Sequence, residues 1–143
     1  MQVAQQPTPI QWWLSPWKRY ALFEGRASRS EFWWFTLGQY VFPFALTVAI
    51  GVIVSPLFWL EARILVRIVF TLFGLTLLLF PFASILPSIA VTARRLHDIG
   101  QSGWLQLIGL IPILGTIVIW VLCALPSQPH ANQYGDAPLP PAP

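Results

Sequence analysis

The chain has 143 residues, enough for one domain, and charged residues make up only 9% of it, where a soluble domain carries about 25%. With 56% hydrophobic residues, it lacks the charge to coat a water-facing surface, which argues against a free soluble enzyme. A single cysteine, Cys123, excludes an internal disulfide framework, and one Cys with two His (His97, His130) cannot close a structural zinc site.

Residues 1–9 read as a disordered arm. Met1 to Trp17 carries no charge, unlike the basic start of a cleaved signal peptide. Gln11 to Phe23 reads as an interfacial helix, broken or started at Pro16, with Lys18 and Arg19 reaching lipid phosphates. Ser28-Arg29-Ser30-Glu31 fits a capping box, so a helix is expected to start at Arg29.

Three charge-free stretches follow. No charge lies between Glu31 and Glu61, none between Arg67 and Arg94, and residues 104–125 are almost wholly apolar. A helix needs about 20 residues to cross the hydrocarbon core, and backbone polar groups cannot be left bare there. The expected fold is therefore all-α, an integral membrane bundle with three main spans near 33–57, 65–87 and 104–125. Residues 10–125 form a single membrane domain. The eight tryptophans lie near span ends or in the N-terminal approach, as headgroup-level rings do.

Within the spans, Thr47, Gly51 and Ser55 form a small-residue stripe suited to close helix packing. Pro81 and Pro87 predict a break, with a separate helix over 88–98 in which Arg94–Asp98 and Arg95–Asp98 are i,i+4 and i,i+3 pairs. Gly109, Pro112 and Gly115 weaken the third span. It reads as one kinked span or as a re-entrant hairpin, and the choice sets the side of the tail. Residues 126–143 contain six prolines and read as a flexible tail.

Six of the eight Lys and Arg residues fall on one side of a three-span topology: Lys18, Arg19, Arg26, Arg29, Arg94 and Arg95. The positive-inside rule puts that side, with the N-terminus, in the cytoplasm, and a single third span then sends the tail outside. The basic residues are explained by topology and anionic lipid, and no nucleic acid is implied.

Two polar runs bracket the expected bundle: F-x-G-R-x-S-R-x-E-F-W from Phe23 to Trp33, and R-R-L-H-D-x-x-x-S-G-W from Arg94 to Trp104. With I-P-x-x-G (Ile111 to Gly115) and N-x-Y-G (Asn132 to Gly135), they occur in an order that resembles the small bacterial inner-membrane family typified by YhaH, a domain-of-unknown-function family. The resemblance covers about residues 12 to 138. It implies a multi-pass inner-membrane protein and supplies no activity. Family members often carry Arg where Gln133 stands, so the tail here has one positive charge fewer.

His97-Asp98 invites a catalytic reading, because a carboxylate can orient a general-base histidine. Neighbours on a helix do not face one another, however, and no triad order, P-loop or G-x-G-x-x-G accompanies them. No catalytic residue, metal or cofactor is assigned. Arg26, Arg29, Glu31, Arg94, Arg95, His97 and Asp98 are expected to meet in one polar cluster at the inner headgroup level, with leftover positive charge attracting a lipid phosphate. The alternative is that each arginine reaches water alone and only sets topology. The function expected is a non-enzymatic scaffold or a lipid- or partner-binding membrane protein, with a homo-oligomer allowed. Its rival is a transport component acting as an oligomer, for which Gln39 and Gln106 would need to share a cavity.

Overall fold

In the computed structural model, which describes residues 7–59 and 62–138, the described residues are helical with no β-strand. The elements are α1 (Pro9–Lys18), α2 (Arg29–Trp59), α3 (Arg63–Asp98), a 3-10 helix (Gly103–Leu110) and α4 (Leu114–Ala124). The chain divides into two compact units. One holds Met1–Thr36 with Leu86–Pro143, and the other Leu37–Ile85.

Helix α1 starts earlier than the sequence pattern suggests, at Pro9. Thr8 caps it: its hydroxyl accepts from the Gln11 N–H at 3.3 Å, while the Gln11 side chain accepts from the Thr8 N–H at 2.8 Å. Pro9 at the first helical position loses no bond, since its N–H would be unpaired there anyway. Pro16 lies inside the helix rather than at its start.

Helix α2 starts at Arg29 as the capping pattern predicts, with the Ser28 hydroxyl accepting from the Glu31 N–H at 3.1 Å. The other half of the box gives way, because the Glu31 carboxylate turns to Ser15 and Arg94. Helix α3 runs unbroken from Arg63 to Asp98, through Pro81 and Pro87. This corrects the expected break and separate helix over 88–98. An apolar surround supplies no water to a broken backbone, so an apolar helix tolerates proline better than a soluble one. Both α2 and α3 contain stretches long and apolar enough to cross a membrane. Their faces are bare: Phe44 is 71% exposed and Phe82 65%, which fits lipid contact and not the core of a soluble protein. Among the described residues, a Cβ on Gly51, at the centre of the small-residue stripe, would meet open space.

The third expected span is no single helix. The 3-10 helix and α4 pack on each other, joined by a turn at Ile111–Ile113. Ile113 takes φ 64° and ψ −62°, and the Leu114 N–H donates to the Pro112 carbonyl at 2.7 Å. That is a γ-turn with positive φ, a strained form for a β-branched residue. Gly115 lets the two arms close, since a Cβ there would collide with the Ile108 carbonyl. The hairpin outcome, left open by the sequence, replaces the kinked span.

The first unit has a small core of Ala27, Phe32, Phe35, Val91, Ile119 and Cys123, with Trp13 and Trp17 packed against it. These two tryptophans turn inward, and the Trp17 ring sits 6.1 Å from that of Phe35. Trp33, Trp34, Trp104 and Trp120 are exposed, as headgroup-level rings would be. The Trp59 side chain lies outside the described residues.

Candidate functional site: a buried arginine–carboxylate clamp

Helix α3 ends in a Schellman motif. The Gly100 N–H donates to His97 O at 3.0 Å and the Gln101 N–H to Leu96 O at 2.9 Å, with Gly100 at φ 79°. The cap fixes the last turn, which carries Arg94, Arg95, His97 and Asp98. Beside it runs the approach to α2, held by a bond from Ala27 N–H to Arg94 O of 3.0 Å. Two polar runs far apart in sequence are thereby brought side by side.

Asp98 is completely buried between two guanidinium groups. Its Oδ1 lies 2.9 Å from Arg26 Nε and 2.8 Å from Arg26 Nη2, and its Oδ2 accepts from Arg95 Nη1. Arg26 thus meets a single carboxylate oxygen, with a charge-assisted hydrogen bond from Nε and an ion-pair contact from Nη2. A second pair joins Arg94 Nη2 to Glu31 Oε1 at 3.1 Å, and the same oxygen accepts from Ser15 Oγ of α1 at 3.0 Å. Arg94, Arg95 and Asp98 are each at most 1% exposed, so these charges rely on one another rather than on water.

Further donors of Arg26 and Arg95 go to the last turn of α4 and the chain beyond it. Arg95 Nε donates to Cys123 O at 2.9 Å, and Arg95 Nη2 to Leu125 O. Arg26 donates to Gln128 O at 2.6 Å and to His130 O at 2.7 Å. The Gln128 N–H donates to Asp98 O, and Asn132 Nδ2 to His97 O at 2.9 Å. Asn132 and Gly135 close a tight turn through paired backbone bonds of 3.0 Å. Tyr134 then stacks on His97, ring centroids 3.8 Å apart and planes within 3°. Residues 126–138, expected to be flexible, form a strap bound across the end of α3. The strap is held through backbone carbonyls, which a proline-rich segment retains in full.

The structure thus brings together Arg26, Glu31, Arg94, Arg95 and Asp98, and the picture of arginines reaching water singly fails for the three buried ones. Arg29 departs from the expected cluster: it is exposed, and among the described residues no carboxylate pairs with it. Glu24 is exposed too and forms none of the three ion pairs. His97 lies at the edge of the cluster. Its Nδ1 sits 3.2 Å from the Gly25 carbonyl, which can only accept, so Nδ1 carries the proton in that contact. Nε2 then faces Gly103, where a Cβ would come within 3.1 Å of it. Ser15, Gln128, Asn132 and Tyr134 were not expected in the cluster. Only the N-x-Y-G motif pointed toward any of them.

Charge in the clamp does not balance. Three buried guanidinium groups face two carboxylates, and Arg94 Nε and Nη1 are buried without a hydrogen-bond partner. Among the described residues no three His, Cys, Asp or Glu side chains converge. Cavities open in this unit. One, of about 760 Å³, lies between the start of α2 and the strap. Another, of about 550 Å³, is mostly apolar and runs along His97, Trp104 and Tyr134. A further one, of about 210 Å³, shares Gln106 with it. Gln39 belongs to the other unit, half-buried, with its amide nitrogen unpartnered.

Comparison with known proteins places this geometry among bacterial membrane proteins. The family model described as "Protein of unknown function (DUF805)" matches residues 20–136. Inner membrane protein YhaH of Escherichia coli K12 is 35% identical over 129 residues, covering 90% of this chain and 97% of the relative. Inner membrane protein YhaI of the same strain is 32% identical over 133 residues, covering 90% of this chain and 96% of the relative. No solved structure matches the chain.

Proposed function

Because the chain belongs to the DUF805 family, whose relatives here are inner membrane proteins, we propose that it is a non-enzymatic scaffold or binding protein of the bacterial inner membrane. In this reading α2 and α3 are two membrane spans that carry a clamped cap on the cytoplasmic side. The observation that carries it is the clamp itself. Asp98 gathers the start of α2, the end of α3 and the strap into one buried cluster, so the polar segments before α2 and after α4 share one membrane face. Lys18, Arg19, Arg26, Arg29, Arg94 and Arg95 then lie on that face, against Arg63 and Arg67 at the other ends of the spans. The positive-inside rule makes it the cytoplasmic one.

The hairpin fits the same arrangement. Eight 3-10 residues rise about 16 Å and eleven α residues about 16 Å, roughly half of a ~30 Å hydrocarbon core. It enters one leaflet and returns, with Leu110 and Ile113 exposed at its tip. Apart from Arg94 Nε and Nη1, the clamp's donors are engaged by its carboxylates and by backbone carbonyls, which supports a structural role for them.

Reporter fusions test the topology. A fusion near residue 60 is expected to read periplasmic and one at residue 138 cytoplasmic. A periplasmic reading at 138 overturns the cap. For the absence of catalysis, the measurement is release of phosphate, fatty acid or headgroup from labelled membrane lipid. A turnover lost in His97→Ala at unchanged melting temperature refutes the non-enzymatic reading.

The rival, a transport component acting as an oligomer, draws on Gln39. A buried amide without a partner in an apolar helix is costly, and a second copy would relieve it. A Gln39→Leu variant with unchanged copy number in native mass spectrometry removes that support.

A further inference from the structure

The cavity of about 760 Å³ beside the start of α2 differs from the clamp in one respect: its cation is free. Arg29 and Ser30 line it, with Trp33 and Trp34 one turn further along α2, and Ser127 of the strap opposite. Arg29 is exposed and, among the described residues, unpaired by any carboxylate. The clamp in the same unit holds one more guanidinium than it has carboxylates, so its own net charge is positive. Arg26, Arg94 and Arg95 cannot serve a ligand directly, because their side chains are at most 1% exposed.

We propose that this cavity binds the phosphate of an anionic phospholipid, with the Arg29 guanidinium on the phosphate and the Trp33 and Trp34 rings at the glycerol–acyl junction. The proposal deepens the membrane reading above and rests on it. Three features select the occupant. Arg29 offers a planar fork matched to phosphate oxygens. The two indoles are exposed just where the charge-free stretch of α2 begins, the depth at which Trp rings favour the headgroup zone. Beside Arg29 the lining carries Trp33, Trp34, Ala124, Pro126 and Pro129, an apolar surround that suits an acyl-bearing molecule and not a free ion. The site expected from sequence, shared among four arginines, is thereby reduced to the single one the clamp leaves available.

The test uses the full chain in phosphatidylcholine nanodiscs doped with phosphatidylglycerol carrying brominated acyl chains, read by tryptophan quenching. In wild type, quenching saturates at low phosphatidylglycerol content, and brominated phosphatidylcholine at the same mole fraction quenches less. Arg29→Gln is expected to raise the half-saturating content about fivefold, the factor for roughly 1 kcal/mol per basic residue at an anionic surface. Arg29→Lys recovers most of the loss. Arg63→Gln, at the opposite end of α3, leaves the curve unchanged. A rise in the half-saturating content for Arg63→Gln as large as that for Arg29→Gln overturns the proposal, since general surface charge then explains it. So does an Arg29→Gln curve that overlays wild type while its melting temperature is unaltered. Release of the brominated lipid by millimolar inorganic phosphate overturns it in favour of a free-phosphate site. The fusions at residues 60 and 138 separate the two levels: normal fusions with an unresponsive Arg29→Gln sink the cavity alone, and inverted fusions with a responsive one sink the cytoplasmic orientation alone.

Discussion

Arg26 and Asp98 lie 72 residues apart in sequence and 2.8 Å apart in space, with both side chains at most 1% exposed. One carboxylate on the last turn of α3 thereby fixes the loop that leads into α2. Because Asp98 also holds Arg95, its loss strands two buried cations at once.

Asp98→Asn keeps the shape and removes the charge. Breaking a buried ion pair by deleting one partner costs about 3–5 kcal/mol. Thermal unfolding in detergent should show a large drop in melting temperature, with helix content retained in the spans. An Asp98→Asn protein as stable as wild type would show that water reaches the clamp.

Asn132→Ala removes the donor to His97 O and the acceptor for the Tyr134 N–H. The strap should loosen while the clamp stays paired, because Arg26 reaches the strap through backbone carbonyls. Hydrogen exchange over residues 126–138 should speed up, at a cost of about 1–2 kcal/mol in that segment.

Ile113→Gly frees the γ-turn from a side chain it accommodates badly. Strain of this kind is worth on the order of 1–3 kcal/mol. The exposed Ile113 side chain gives up little protein packing. A modest rise in melting temperature is expected, and a fall would show that the isoleucine holds the tip in lipid.

Gly115→Ala should have the opposite effect. A methyl group there collides with the Ile108 carbonyl, so the arms must part, at about 1–3 kcal/mol. Cysteine cross-linking between 3-10 helix and α4 positions, efficient in wild type, should fall.

The sequence exposed the two long helices because charge is a sharp marker of where hydrocarbon starts. The Ser28 cap placed the start of α2 to the residue. It misjudged Pro81 and Pro87, since helix-breaking tendencies measured in water lose force where no water competes for the backbone. For residues 104–125 the Gly and Pro pattern was visible, but kink and hairpin share it. What separates them is the close approach at Gly115, a tertiary fact. Arg26, Arg94, Arg95 and Asp98 were legible as partners because like depths bring opposite charges together. Arg29 was not separable from them by type or spacing. The strap was hidden for a different reason: its acceptors are carbonyls of Gln128 and His130, and every residue has one.

The clamp also imposes an order on biosynthesis. Arg26 and Arg95 are made before the carbonyls of residues 123–130 that receive their remaining hydrogen bonds. While those carbonyls are still in the ribosome, which adds about 5–20 residues per second, the Arg26 and Arg95 guanidinium groups lack those acceptors. The cap therefore closes last, after both long helices have been made. A chain cut short after α3 lacks those carbonyls, and the remaining donors of Arg26 and Arg95 go without them.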